Sequence, residues 1–115
     1  MKSPNFEPRM GCSAPHLVVL HYTGMQDGAS ALARLCDPQS KVSAHYVIEE
    51  DGTVYSLVEE SLRAWHAGKS YWRGLVDINS HSIGIEIVNP GHEFGYRAFP
   101  NAQMHAVLTL CEAIK

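Results

Sequence analysis

The run Leu17-Val18-Val19-Leu20-His21-Tyr22 decides the fold. It is short, continuous and apolar, and its β-branched residues are typical of a buried strand at the centre of a sheet. Thr23-Gly24 ends the run. His21 therefore lies at the carboxyl end of a predicted central strand, which is where binding sites collect in sheets of this kind.

Two elements are predicted downstream of that strand. Residues 30–35 predict a short helix that ends near Asp37-Pro38, because proline disfavours helical geometry in the residue before it. Residues 42–49 and 53–58 then flank an Asp-Gly pair, and Asp-Gly between two β-rich runs is typical of a hairpin. The hairpin is expected to join the same sheet as the first strand.

The second half of the chain adds a strand and a helix. Residues 82–88 predict the strand, and residues 101–115 have the apolar spacing of an amphipathic helix. Between the two halves, residues 61–79 form a long irregular stretch, and loops of that length are often functional. The order of elements predicts an α/β (α+β) fold, with a mixed central β-sheet flanked by helices.

The two ends of the chain differ from this pattern. Residues 1–16 contain Pro4, Pro8 and Pro15 and predict an extended lead-in. The predicted domain therefore covers residues 17–115. Its last helix reaches Lys115 with no glycine stop signal after it, so we expect the N-terminal part of a longer, C-terminally incomplete domain.

Composition narrows the classes of function. The 115 residues are 45% hydrophobic and 18% charged, as in a globular domain, and the net charge of -3 gives no general reason to bind nucleic acid or an anionic membrane. No apolar run approaches the roughly 20 residues that span a bilayer, and the first residues lack a signal-peptide core. Three widely spaced cysteines predict free thiols in a reducing compartment, and we expect a cytoplasmic location.

Two titratable side chains stand out within apolar strands. An imidazole at the position of His21 could bind zinc through one nitrogen while the other donates a hydrogen bond, although position alone favours a structural histidine bonded to backbone. Glu86 shares a strand face with Gly84 and lies opposite three isoleucines. Burial there would raise its pKa towards values useful to a general base, unless that face is open to water.

Two further sites have competing interpretations. His45 alternates with Val47 on one face of a predicted strand, which favours a core histidine with its hydrogen bonds satisfied. Trp65 and His66 lie in the long loop, beside small residues. They are interpreted either as a wall against a sugar or peptide or as the anchor of the loop.

Five segments in this order resemble the amidase type 2 family of N-acetylmuramoyl-L-alanine amidases, which includes anhydromuramoyl-peptide amidases and is related to phage lysozyme-like amidases and peptidoglycan recognition proteins. The resemblance covers residues 17–115. The segments are Val-Leu-His-Tyr-Thr at 19–23, Val-Ser-Ala-His-Tyr-Val-Ile at 42–48, Asp-Gly-Thr-Val-Tyr at 51–55, Arg-Ala-Trp-His-Ala-Gly at 63–68 and Asn-Ser-His-Ser-Ile-Gly-Ile-Glu at 79–86.

The resemblance implies a mixed sheet with flanking helices, one catalytic zinc ion, and hydrolysis of the amide between N-acetylmuramic acid and L-alanine of the stem peptide. His21 matches the family's first zinc ligand. Glu86 matches the acidic residue that activates the zinc-bound water or stabilises the tetrahedral intermediate. Trp65 and His66 match the loop that lines the substrate groove. The expected partners are peptidoglycan fragments (muropeptides), with no nucleic acid and no membrane, and the chain is expected to be a monomer.

The chain departs from the family pattern in its remaining ligands. The family places a second histidine and an aspartate in a downstream segment similar to Gly-His-Ser-Asp, followed by Arg-Lys-x-Asp-Pro-Gly. No stretch before Lys115 matches it. We therefore expect weak zinc binding and little catalysis from this chain. The alternative is a non-catalytic module that binds peptidoglycan or muropeptides.

Overall fold

The structure is a computed structural model that describes residues 2–9, 15, 17–25, 27–66, 78–89 and 99–114. Its elements in chain order are β1 (Phe6–Pro8), β2 (Leu17–Tyr22), α1 (Gly28–Leu35), β3 (Tyr46–Ile48), β4 (Val54–Ser56), β5 (Leu62–Ala64), α2 (Ile78–His81), β6 (Ser82–Ile87) and α3 (Asn101–Ile114). Four strands form the main sheet in the order β2-β6-β3-β4. β6 runs parallel to both β2 and β3, whereas β3 and β4 are antiparallel, so the sheet is mixed as predicted.

The interior strands of the described sheet are β6 and β3, so the prediction of a central place for Leu17–Tyr22 was wrong. In the described sheet β2 is an edge strand. Its alternate side chains Val18, Leu20 and Tyr22 are 42%, 51% and 50% exposed. A continuous apolar run indicates that a strand has apolar side chains on both faces, but it does not determine how many neighbouring strands it has.

The sheet has two chemically different faces. On one face the three isoleucines of β6 pack with Ile48 and Val107 in a buried cluster beneath α3. On the other face Leu32 and Leu35 of α1 pack with Val47. Glu86 is the register partner of Val47 on the neighbouring parallel strand, so Glu86 lies on the α1 face.

Local hydrogen bonds explain the ends of α1 and the predicted hairpin. Asp27 caps α1, because its side chain accepts a hydrogen bond of 2.8 Å from the Ser30 amide, and the helix begins two residues before the predicted start. The hairpin turn closes with a 2.8 Å bond from the Glu49 amide to the Thr53 carbonyl. Gly52 in that turn has a φ of 94°, which only glycine adopts without strain.

The lead-in and the long loop form a second, two-stranded sheet. β1 pairs antiparallel with β5, which lies within the stretch predicted to be irregular. Ser3 Oγ donates to the Leu35 carbonyl, and Asn5 Nδ2 donates to the Val42 carbonyl at 2.9 Å. Residues 2–9 of the predicted lead-in are thus packed against the main domain.

Other predictions from composition are tested in part. Cys36 and Cys111 are free thiols and partly buried, whereas Cys12 lies outside the described residues. Within the part of the chain that the structure describes, no helix is long and apolar enough to cross a membrane.

Candidate functional site

The structure brings His21 and Glu86 together at one edge of the sheet. They are direct register partners on the parallel strands β2 and β6. Because paired residues of parallel strands project to the same side, both side chains lie on the α1 face. Both also lie near the carboxyl ends of their strands, as the sequence predicted for His21.

Burial changes the protonation of this pair. The desolvation of the Glu86 carboxyl raises its pKa to about 7, and its Oε2 is buried without a hydrogen-bond partner among the described residues. Burial lowers the pKa of His21, which keeps its imidazole neutral at physiological pH. The pair therefore combines a neutral nitrogen base with a carboxyl group that exchanges its proton near neutrality.

His66 completes a compact group with this pair. Its Nδ1 lies 3.1 Å from His21 Nε2, and its Nε2 lies 2.9 Å from Ser82 Oγ. The ring is seated directly over Gly84, where a Cβ atom would come within 2.4 Å of His66 Cγ. Burial first, and then the nearby His21, His45 and the guanidinium groups of Arg9 and Arg63, lower the pKa of His66 to about 3, so this ring is neutral.

Trp65 is anchored beside His66 and also faces open space. Its backbone amide donates to Ser43 Oγ and its carbonyl accepts from the Ser43 amide, both at 2.9 Å. The indole Nε1 donates to Glu7 at 3.2 Å. Trp65 therefore anchors its loop, and it lines the neighbouring cavity as well. The position of Trp65 is therefore compatible with both interpretations of the sequence, the anchor of the loop and the wall of a binding site.

A cavity of about 570 Å³ opens on the α1 face, and its walls include Trp65, His66 and Glu86. Its size suits a ligand of several linked groups. Arg34, from the last turn of α1, also lines the cavity, with no ion pair among the described residues. Sequence reasoning missed Arg34, because one cation on a short helix gives no sign of the face on which it lies.

His45 lies behind the site as a core residue. Its Nδ1 accepts a 3.0 Å hydrogen bond from the Gly84 amide, and its Nε2 lies 2.8 Å from the Leu62 carbonyl. The side chain is fully buried with both ring nitrogens bonded. The prediction of a satisfied core histidine is confirmed.

The described residues fit a zinc site only in part. His21 is a neutral imidazole beside a buried carboxyl group that lacks a hydrogen-bond partner, which are suitable donors for zinc. A catalytic zinc ion ordinarily has three protein ligands. In the described ranges, no three His, Cys, Asp or Glu side chains converge closely enough to hold a metal ion.

Comparison with known proteins identifies the family of the chain. The family model described as N-acetylmuramoyl-L-alanine amidase matches residues 11–115. The chain belongs to that amidase family. The prediction from the five ordered segments is confirmed.

Two relatives show how much of each protein the sequence match covers. It is 37% identical to the N-acetylmuramoyl-L-alanine amidase AmiD of Escherichia coli (strain K12), over 85% of this chain and 39% of AmiD. It is 32% identical to the 1,6-anhydro-N-acetylmuramyl-L-alanine amidase AmpD of the same organism, over 74% of this chain and 56% of AmpD. The match thus spans about half the length of these relatives or less.

Solved structures of the family confirm the predicted fold. A selenomethionine derivative of AmpD superposes with a TM-score of 0.84 at 30% identity, covering 99% of this chain and 71% of that protein. Escherichia coli AmiD, in complex with anhydro-N-acetylmuramic acid-L-Ala-D-γ-Glu-L-Lys, gives 0.76 at 34% identity, covering 99% and 46%. A peptidoglycan recognition protein from Alvinella pompejana, 17% identical with a TM-score of 0.61 over 96% of this chain and 72% of that protein, shares the fold.

Proposed function

We infer that the protein is a zinc-dependent amidase that hydrolyses the bond between N-acetylmuramic acid and L-alanine of the peptidoglycan stem peptide. The observation that carries this proposal is the register pairing of His21 with Glu86. It places a neutral imidazole beside a carboxyl group whose pKa is about 7, and Glu86 lines a cavity of about 570 Å³.

Glu86 is the residue we assign to proton transfer. A group with a pKa near the working pH both accepts and returns a proton efficiently. At neutrality the Glu86 carboxylate can take a proton from an attacking water at Oε2, and the resulting acid can deliver that proton to the departing amine. Burial supports both steps, because it removes the competing bulk water that would hold the carboxylate ionised.

His21 is the residue we assign to zinc binding. The family is generally zinc-dependent, and when bound the ion polarises the scissile carbonyl and acidifies water. Among the described residues, no two further metal-binding side chains converge with His21 to complete a zinc site. We therefore expect the 115-residue chain alone to bind zinc weakly and to release little product.

The cavity supports a muropeptide as the substrate. Trp65 offers an aromatic wall beside His66, and Arg34 adds a positive charge that suits a carboxylate of the stem peptide. Escherichia coli AmiD was solved with an anhydro-muropeptide bound, which supports a soluble wall fragment as the ligand. A soluble substrate is consistent with our expectation of a cytoplasmic location.

The second candidate function is a muropeptide-binding module without catalysis. It is favoured by the lack of three converging metal-binding side chains in the described ranges. The two candidates differ in what a chelator does. Chelation abolishes turnover by a zinc amidase, whereas a pure binding module keeps its affinity and releases nothing.

The test uses anhydro-N-acetylmuramic acid-L-Ala-D-γ-Glu-L-Lys with the 115-residue chain and with the product of the complete gene. Mass spectrometry follows the released tripeptide with added ZnCl₂ or with EDTA, and calorimetry follows binding. We expect zinc-dependent release by the complete gene product, reduced about 100-fold or more in Glu86→Gln with binding retained. Binding that EDTA leaves unchanged, with no release by the complete gene product, would overturn the amidase in favour of the binding module.

A further inference from the structure

A directional chain of hydrogen bonds begins at a main-chain carbonyl of α2 and leads towards His21. The Ile78 carbonyl oxygen lies 2.7 Å from Ser82 Oγ. A carbonyl oxygen can only accept a hydrogen bond, so the single hydroxyl proton of Ser82 is donated to it. Because that proton is committed, the direction of each following bond is fixed.

The proton positions on both imidazoles follow from this anchor. Ser82 Oγ can only accept from His66 Nε2, which lies 2.9 Å away, so Nε2 carries the proton. A neutral imidazole has one N–H, and His66 Nδ1 therefore keeps its lone pair. His21 Nε2 lies 3.1 Å from that lone pair and must be the donor. His21 is then left with its own lone pair on Nδ1.

The position of His66 is set by groups that the proposed chemistry does not use. Its amide donates to Asn79 Oδ1 at 3.1 Å, and its ring rests on Gly84. The Arg9 guanidinium donates to the carbonyls of residues 79, 80 and 82 at 3.0 to 3.2 Å, which ties α2 to the start of β6. The anchor at Ser82 is thereby fixed relative to the ring of His66.

We propose that His66 is a positioning residue that, anchored by Ser82, holds His21 in the Nε2–H tautomer and presents His21 Nδ1 as the nitrogen available to a ligand. A metal-binding histidine usually donates its second nitrogen to a carbonyl, carboxylate or water. In this protein the acceptor is a second imidazole. The tautomer stands independently of the proposed function, whereas zinc as the ligand of Nδ1 rests on it.

The first test is nitrogen-15 NMR of the metal-free chain at pH 8, where imidazoles of ordinary pKa are neutral. Long-range proton–nitrogen correlation identifies the protonated nitrogen of each ring. We expect Nε2–H on both His21 and His66, with a nitrogen–nitrogen coupling across the bond between His21 Nε2 and His66 Nδ1. A proton on His66 Nδ1, or a His21 ring without that coupling, would overturn the proposal.

The second test removes the anchor. In Ser82→Ala, His66 loses its acceptor, so we expect a protonated Nδ1 to appear on His66 and an unprotonated Nε2 to appear on His21. Ser80→Ala is the matched control, since it deletes a buried hydroxyl that accepts from Arg63 and lies outside the chain of bonds. Equal spectra for the two variants would show that Ser82 does not direct the tautomer.

The third test uses zinc alone and separates this proposal from the proposed function. In the product of the complete gene, His66→Leu removes the acceptor, and we expect zinc affinity to fall about 10- to 100-fold, with partial recovery in His66→Gln, whose amide oxygen can accept from His21. Unchanged affinity in His66→Leu would contradict the positioning role. A chain that shows the predicted tautomers but never binds or cleaves the muropeptide would instead count against the proposed function alone.

Discussion

The two faces of β6 show how one strand serves stability on one side and chemistry on the other. Towards α3 it presents isoleucines that are fully or almost fully buried in an apolar cluster. Towards α1 it presents Ser82, Gly84 and Glu86, which anchor His66, give its ring room and pair with His21. The apolar face fixes the register of the sheet, because a slip of one residue would exchange the two faces.

The two faces of β6 also differ in their effect on the stability of the fold. Burial of apolar area on the α3 face stabilises the fold. On the α1 face, burial raises the pKa of Glu86 and lowers that of His66, because it disfavours the charged form of each group. This burial lowers the stability of the fold at pH values where the unfolded group is charged. The site is tolerated because the opposite face of the same strand holds it in place.

The largest expected effect comes from the apolar face. Ile85→Ala leaves a cavity in the fully buried cluster and is expected to lower the free energy of unfolding by about 3–4 kcal/mol. Leu20 is the register partner of Ile85 on the same face, yet it is 51% exposed. Leu20→Ala should therefore cost less than about 1 kcal/mol. Urea unfolding of both variants checks this, and equal losses would contradict the assignment of β2 to the sheet edge.

A slightly smaller effect is expected on the site face. Gly84→Ala places a Cβ atom 2.4 Å from His66 Cγ, and we expect a loss of about 2–3 kcal/mol through overpacking. In the double variant Gly84→Ala/His66→Ala the clash is gone, so the combined loss should be smaller than the sum of the single losses. Strictly additive losses in urea unfolding would show that the ring does not rest on Gly84.

The sequence predicted the fold where local patterns repeat. Strand alternation correctly placed Glu86 opposite the three isoleucines, and the Asp-Gly signal located the hairpin. Local patterns could not predict which strands neighbour β2, because strand order depends on contacts between residues that are distant in sequence. β1 and β5 were missed because no turn signal marks them, whereas the Asp-Gly pair marks β3 and β4, which are equally short.

The sequence predicted the residue types of the site better than their arrangement. His21 and Glu86 were identified from single polar groups in apolar strands, and the structure makes them register partners. The bond between His66 and His21 joins residues 45 positions apart, and it depends on the fold that seats the ring over Gly84. The roles proposed for these residues stay predictions until they are measured.

A pH-dependent effect separates the two faces further. Glu86 has a folded pKa of about 7 against 4.5 when unfolded, so its cost to stability is absent below pH 4.5, grows up to pH 7 and is constant above. Gln carries no charge at any pH. In EDTA, Glu86→Gln should match the wild type at pH 4 and exceed its free energy of unfolding by about 2 kcal/mol at pH 8, allowing for partial solvation. The same difference at both pH values would show that desolvation of Glu86 is not the cause.

The smallest effect is expected at the rim of the cavity, where Arg34 contributes charge and no buried contact. Its side chain is exposed and lines the same cavity as Glu86 and Trp65. Arg34→Ala should weaken binding of the anhydro-muropeptide by about two- to five-fold, the size of a partly exposed ion pair, with stability unchanged. Arg34→Lys keeps the charge and should retain most of the affinity. Calorimetry at low and high salt checks the cause, because an ionic contribution to binding shrinks as the salt concentration rises. A loss of affinity that is independent of salt would instead assign Arg34 a packing role.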